Sequence, residues 1–258
     1  MLNLPQNPKW DIARVSHSTL VNADCFDVFP LIEDKSINAI IADLPYGTTA
    51  CKWDSVLPLD KLWAEYKRVL KPNGLIILFG TQPFTTTLIS SNIKQFRYEL
   101  IWDKIRSATG LNAKRMPLKT HENILVFYAE QPTYNPQITE GKPFDKTKYN
   151  GQMELPNVTG GGVKISKKNN GTRFPISIHK YSQNWQRQGQ LHPTQKPVEL
   201  MEYLIKTYTN ENEIVLDNTM GSGTTGLACL KTNRQFIGIE KEKQYYDVAV
   251  RRLSSYCG

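Results

Sequence analysis

The sequence predicts an α/β fold: a mostly parallel sheet with helices on both faces, interrupted by an irregular insertion. Three observations carry this. Apolar runs at 37–42, 213–217 and 235–240 each end on or just before a carboxylate (Asp43, Asp217, Glu240), as buried parallel strands do when their carboxyl ends open onto a ligand. A glycine-rich turn, Asn218 to Gly226, and a helix-like stretch from about Leu227 separate the last two runs. The remaining runs alternate with amphipathic helical faces, the order expected of βαβ units.

Taken in order, residues 1–17 read as an irregular arm. Thr19–Asp24 reads as a short strand ending in an acid, and Asp24 suits either a ligand contact or a helix cap for the segment starting at Cys25. Residues 37–42 form the first central strand. Leu59, Leu62, Trp63, Tyr66, Val69 and Leu70 share a helical face, and Lys71-Pro72-Asn73-Gly74 stops that helix. Leu75–Phe79 is a buried strand, and a shorter helix covers about 83–92. Tyr98–Trp102 and Asn123–Tyr128 are further strands, expected as neighbours, joined by a loop rich in Lys and Arg. Leu200, Met201, Leu204, Ile205 and Tyr208 share a second helical face, with Thr194 as its N-cap and Pro197 in its first turn. The final helix, about 242–254, turns Tyr246, Ala249, Val250 and Leu253 inward.

Residues 131–190 differ in character. They are rich in Pro, Gly and Asn, and they hold nine Lys/Arg against three acids, most of the chain's net charge of +8. Tyr134, Phe144, Tyr149, Phe174, Tyr181 and Trp185 are interleaved with these cations. Basic and aromatic residues together suit a polymer of phosphates and bases, although a solvated surface region has the same composition.

Two sites emerge. Asp43-Leu44-Pro45-Tyr46 can hold a flat heterocycle bearing an exocyclic amine. Asp43 and the Leu44 carbonyl accept the two amine hydrogens, Pro45 fixes the turn, and Tyr46 offers a stacking face. The same residues also describe an Asp-x-Pro turn with a core tyrosine. The strand–glycine turn–helix–strand–acid unit from 213 to 240 suits a nucleoside-bearing cofactor, with Glu240 placed for ribose hydroxyls. His192-Pro193-Thr194-Gln195-Lys196-Pro197 completes the set, because a helix N-terminus and Lys196 together can hold a carboxylate.

In this order these motifs resemble the amino-group DNA methyltransferases that use S-adenosylmethionine, and among them the β subgroup. The resemblance covers roughly residues 18–255. Two positions depart from the family pattern: Leu44 stands where a proline is usual, and Asn218-Thr219 where Pro-Phe is usual. The resemblance implies a Rossmann-like methyltransferase sheet. It implies a catalytic and cofactor domain from 18–130 and 191–258, and a target-recognition insertion at 131–190. It assigns catalysis to Asp43, Leu44, Pro45 and Tyr46, and S-adenosylmethionine binding to Asp24, Thr194, Lys196, Asp217, Gly221, Ser222, Gly223, Thr224 and Glu240. The substrate implied is double-stranded DNA, with a flipped adenine methylated on N6. N4-cytosine methylation is the nearest alternative; Asp43 favours adenine, since cytosine enzymes more often have serine there. An RNA or protein methyltransferase, a nicotinamide-dependent dehydrogenase on the same βαβ logic, and a DNA-binding relative without catalysis are more distant readings. Two further partners are compatible with the resemblance, a second copy of the chain in a homodimer and a cognate restriction enzyme; the sequence chooses neither, nor does it give a recognition site.

Composition narrows the class. The chain has 258 residues, enough for one α/β domain with an insertion. No apolar run is long enough to span a membrane, and the N-terminus carries no secretory pattern. Cys25, Cys51, Cys229 and Cys257 are widely spaced, which fits a reducing cytoplasm better than a disulfide scaffold. The histidines at 17, 121, 179 and 192 show no metal-ligand spacing, so no metal is expected.

Overall fold

The computed structural model describes residues 10–47, 55–107, 110, 112–145, 168–182 and 195–258. It divides into two compact units, Met1–Asn135 with Ser177–Gly258, and Pro136–Ile176.

In the larger unit the chain runs β1 (Asp11–Val15), β2 (Ser18–Asn22), α1 (Cys25–Val28), β3 (Ile37–Ala42), α2 (Leu59–Val69), β4 (Leu70–Gly80), α3 (Phe84–Ser91), β5 (Phe96–Asp103) and β6 (His121–Phe127). The smaller unit holds β7 (Thr139–Glu140), β8 (Phe144–Asp145), β9 (Lys168–Asn169) and β10 (Thr172–Arg173). The larger unit resumes with β11 (Ile178–Lys180), α4 (Val198–Tyr208), β12 (Ile214–Asp217), α5 (Thr224–Lys231), β13 (Gln235–Glu240) and α6 (Lys243–Cys257). Among the described residues one nine-stranded sheet forms, in the order β1-β2-β13-β12-β3-β4-β6-β5-β11. The central run β2-β13-β12-β3-β4 is parallel throughout. β6 is antiparallel to both β4 and β5, and β11 is parallel to β5.

Strand periodicity explains the two layers. Along β3, Ala39 and Ile41 face one side with Ile77 and Phe79, while Ile40 and Ala42 face the other with Ile76 and Leu78. The first side is covered by α4, α5 and α6, through Leu200, Leu204, Ala228, Ala249 and Leu253. The second is covered by α1, α2 and α3, through Val28, Leu62, Tyr66 and Leu88. The sheet is therefore buried on both faces, as continuous apolar strands require.

Several elements depart from the sequence expectation. Residues 11–15 are not part of an irregular arm: they form β1, antiparallel to β2. Only Val15 of that strand is buried, so its apolar signal is weak. Lys71–Gly74 does not stop α2: the helix ends at Val69, Leu70 is its extended C-cap, and β4 has already begun there. Leu70 pairs with Ile37, and pairing resumes at Leu75 with Ala39, so the four residues between form an irregularity inside the strand. A side chain at Gly74 would meet the Asn38 carbonyl at 2.9 Å, which explains glycine there. α5 starts at Thr224 rather than about Leu227, because Gly223 at φ +74° turns the chain into the helix. Pro197 occupies the N-cap of α4 rather than its first turn; Thr194, the expected cap, lies outside the described residues, as does Cys51.

Ile178–Lys180, within the region read as an insertion, supplies β11 to the main sheet, and Trp102 Nε1 donates to the Tyr181 carbonyl at 2.8 Å. In the smaller unit β7 pairs with β10 and β8 with β9, both antiparallel. Gly171, at φ +103°, approaches so closely that a Cβ would lie 2.6 Å from the Gly141 carbonyl oxygen. No helix among the described residues is long and apolar enough to cross a membrane.

Candidate active site

Because β2, β13, β12 and β3 are parallel neighbours, their carboxyl ends share one edge. The acids that follow those ends, Asp24, Glu240, Asp217 and Asp43, line a single cavity of about 320 Å³, within the range of small-ligand sites. Leu44, Pro45, Tyr46, Lys196, Gly221, Ser222 and Thr224 line the same cavity. The Asp43–Tyr46 motif and the glycine turn thus open onto one space. Gly223 is a backbone device instead: a Cβ there would lie 2.9 Å from Ala249 Cβ on α6.

The glycine turn is fixed from several directions. Gly221 (φ +51°) donates its N–H to Glu240 Oε2 at 2.8 Å, and the Glu242 N–H reaches Glu240 Oε1 at 2.8 Å. Each carboxylate oxygen keeps a lone pair for a ligand. Burial raises the Glu240 pKa, and these backbone donors oppose it. Asp217 accepts from Thr225 Oγ1 at 2.6 Å and from the Thr219 N–H at 3.1 Å. Burial nevertheless pushes its carboxyl up to about 7, with Asp43 and Glu240 adding to the rise. Thr224 Oγ1 is engaged by Arg252 on α6, which donates at 2.9 Å.

Asp24 takes the first of the two roles left open by the sequence, the helix cap, and its position leaves the second available. It caps α1 by accepting the Phe26 N–H at 3.0 Å, and it lines the cavity with its Oδ2 3.1 Å from Lys241 Nζ. Cys25, beside it, has its thiol pushed up to about 12 by burial, so it is not a thiolate nucleophile.

Within the Asp43–Tyr46 motif, Tyr46 donates its hydroxyl to Asp43 Oδ1 at 2.6 Å, and its half-buried ring packs on Phe84 with centroids 5.1 Å apart. The Asp43 carbonyl accepts from Thr219 Oγ1 at 3.1 Å. Thr219, at a position where the family usually has phenylalanine, therefore ties the glycine turn to the Asp43–Tyr46 turn. Lys196 does not stand free to hold a carboxylate ligand. Its ammonium donates to Asp43 Oδ2 and lies 3.3 Å from Glu122 Oε2 on β6.

Sequence reasoning missed Glu122, Gln195 and Thr219. Glu122 alternates with Ile124 and Val126, which face the α4 side of the sheet; an acid in phase with buried residues was the available signal. Gln195, buried and lining the cavity, lies within the His192–Pro197 segment, beside Lys196.

The donor set fits a cationic nucleoside. Five acids line the cavity (Asp24, Asp43, Asp217, Glu240, Glu242) against two lysines (Lys196, Lys241), and both lysines are already paired with carboxylates. A sulfonium with an α-amino group complements such a wall.

Comparison with known proteins agrees. The family described as DNA methylase, of the N6/N4 type, matches residues 37–251. Type II methyltransferase M1.MboII of Moraxella bovis is 26% identical over 244 residues, covering 88% of this chain and 92% of its own length. M2.LlaDCHI of Lactococcus lactis subsp. cremoris is 27% identical over 264 residues, covering 92% and 90%. The crystal structure of the M1.HpyAVI–SAM complex superposes with a TM-score of 0.63 at 27% identity, covering 91% of this chain and 99% of that one. The chain belongs to the N6/N4 DNA methylase family, as an amino-group DNA methyltransferase with S-adenosylmethionine as its cofactor.

Proposed function

We propose that this enzyme methylates the N6 amine of adenine at specific sites in double-stranded DNA. The observation that supports this most directly is the shared cavity, in which Asp43 and the Leu44-Pro45 turn face the glycine turn. Asp43, Leu44, Pro45 and Tyr46 are the proposed amine site. Asp24, Asp217, Gly221, Ser222, Thr224 and Glu240 are the proposed cofactor wall, with Gly223 shaping its turn. Glu240 offers its remaining lone pairs to the ribose hydroxyls, and Asp217 faces the cationic methionine end.

The target amine is stacked and paired in a duplex, so the base must be flipped out, at a cost of a few kcal/mol. Tyr46 supplies a face to receive it, and the Asp43 carboxylate and Leu44 carbonyl accept its two N–H groups. Those hydrogen bonds draw the nitrogen lone pair out of conjugation with the ring. When bound, S-adenosylmethionine supplies an electrophilic methyl group on sulfur. Asp43 then takes the surplus proton: an N–H bond breaks, an O–H bond forms on the carboxyl, and the proton passes to water. Positioning and a preorganised acceptor pair account for the rate. The 131–190 region and the 104–119 loop, rich in Lys and Arg, are the proposed contacts to phosphates.

The test is chemical. Labelled S-adenosylmethionine and a library of duplexes are incubated with the enzyme, the DNA is digested to nucleosides, and the labelled product is identified. N6-methyladenosine as the deoxynucleoside is expected; N4-methylcytosine would replace the adenine reading with its cytosine counterpart.

The raised Asp217 carboxyl gives a second expected result. The free protein keeps Asp217 protonated up to about pH 7, whereas a cationic ligand favours the carboxylate. Cofactor affinity should rise with pH through that value and level off above it, by at most about tenfold per pH unit. Without ligand the sign is opposite. A carboxyl raised from 3.8 to about 7 contributes stability at low pH that is lost as pH rises across that interval. Calorimetric titration of wild type and Asp217→Asn between pH 5.5 and 8.5, on the order of three units, isolates the effect as the difference between the two curves, since the variant keeps the titrations of the cofactor and of the other wall acids. Parallel curves would remove Asp217 from the cofactor wall.

A further inference from the structure

Lys196 lies seven per cent exposed at the start of α4, where its ammonium stands 5.0 Å from the centre of the Phe79 ring and 6.0 Å from that of Trp102. Aromatic faces hold one side of it, and two carboxylates hold the other. It hydrogen-bonds to Asp43 Oδ2, while Glu122 Oε2 at 3.3 Å makes an ion contact that lacks hydrogen-bond alignment. The other Glu122 oxygen accepts from Lys104, whose ammonium lies 4.9 Å from the Trp102 ring centre. Asp43, Lys196, Glu122 and Lys104 thus form a chain of alternating charge, neutral when all four are ionised.

We propose that Lys196, shared between Asp43 and Glu122, is a positioning residue that clamps the Asp43 carboxylate and sets how strongly it accepts the substrate amine. The proposal rests on the amine-methylation reading above and concerns the same site. It replaces the carboxylate-gripping role expected of Lys196 from the sequence.

The geometry supports it in three ways. Both Asp43 oxygens are anchored, Oδ2 by Lys196 and Oδ1 by Tyr46, so the carboxyl has one orientation before substrate arrives. A lone ammonium would make Asp43 a poor acceptor, and Glu122 draws on the same charge from the far side. Lys196 is buried and Asp43 is mostly so, its remaining exposure being to the cavity, so water screens the pair only weakly. The groups facing Asp43 and Lys196 come from five places: Tyr46 after β3, Glu122 on β6, Lys104 after β5, Asp217 at the end of β12 and, through Glu122, Lys119. Burial raises Asp43, Lys196 opposes this and Glu122 adds to it. Burial works against the Lys196 ammonium, but Asp43 and Glu122 outweigh it. Burial likewise works against the Glu122 carboxylate, and Lys196 with Lys104 outweighs it. No proton passes through Lys196 in this scheme.

The test compares Lys196→Met and Glu122→Gln in the full chain. Two readouts are used: the pH dependence of turnover on duplex DNA, and the pH titration of the Asp43 carboxyl carbon by NMR. Lys196→Met should move the acid limb of turnover and the carboxyl titration to higher pH. Turnover at neutral pH should fall about tenfold or more, with cofactor affinity within about threefold of wild type. Glu122→Gln should move both to lower pH. Opposite shifts support the clamp, because a merely structural pair would leave both curves in place. Cofactor affinity lost about tenfold in Lys196→Met, with the acid limb unmoved, would overturn the clamp and return Lys196 to the cofactor's carboxylate. Should Lys196→Met not fold, Glu122→Gln decides alone: a downward shift supports the proposal, and no shift or an upward one overturns it. If wild type labels no DNA, the amine-methylation reading falls, while the carboxyl titration still decides the clamp.

Discussion

Asp43→Ala is expected to abolish methyl transfer while S-adenosylmethionine still binds. The carboxylate is proposed to hold one amine hydrogen and to receive the surplus proton. Losing a preorganised acceptor costs about 10²–10³ in rate, and losing a positioned base costs about 10²–10⁴. The two act on one group and are not additive, so a fall of about 10³ or more is expected. Cofactor binding should survive because the glycine turn is held elsewhere, by Glu240, by the Asp217 bonds and by Thr219. The Thr219 bond is made to the Asp43 backbone carbonyl, which the substitution keeps. Tritium transfer to DNA and calorimetry with the cofactor measure the two halves separately. Loss of both would make Asp43 a structural residue whose removal collapses the cavity wall.

Much of this site was legible because its acids announce themselves. Asp43, Asp217 and Glu240 each follow a run of residues that are almost wholly buried, and a carboxylate in such a place has no core function to explain it. The neighbours β3, β12 and β13 then follow from the parallel order, which brings the three acids to one edge. What the sequence hid was pairing across distance. Lys196 reads as a free cation in a helix-start motif, and its partner Glu122 lies on an antiparallel strand with no motif of its own. The Thr219 hydroxyl reaches a backbone carbonyl of another turn, a bond that no side-chain pattern records. Arg252 reads as one more basic residue of the last helix, yet it is mostly buried and donates to Thr224 and to the Ser222 carbonyl. Among the elements, β1 was missed for a related reason: as an edge strand it buries one residue, and alternation cannot be read from a single position.

Tyr46 separates stacking from hydrogen bonding. Its ring is proposed to receive the flipped base, and base–aromatic stacking is worth roughly 1–3 kcal/mol, about the cost of unstacking. Tyr46→Ala should therefore reduce turnover on duplex DNA by about one to two orders of magnitude. The loss should be smaller on a substrate whose target base is mismatched, because less flipping energy has to be offset. Tyr46→Phe keeps the face and removes only the hydroxyl that donates to Asp43 Oδ1. A net hydrogen bond to a charged group contributes about 1.5–3 kcal/mol, but Lys196 still anchors the other oxygen, so the carboxyl stays in place. A few-fold loss is expected, with the acid limb of turnover moved to higher pH, since that hydroxyl is among the groups holding the Asp43 carboxyl down. Steady-state rates on matched and mismatched duplexes for the three proteins give the answer. Equal damage from alanine and phenylalanine would show that the hydroxyl, through its hold on Asp43, matters more than the ring.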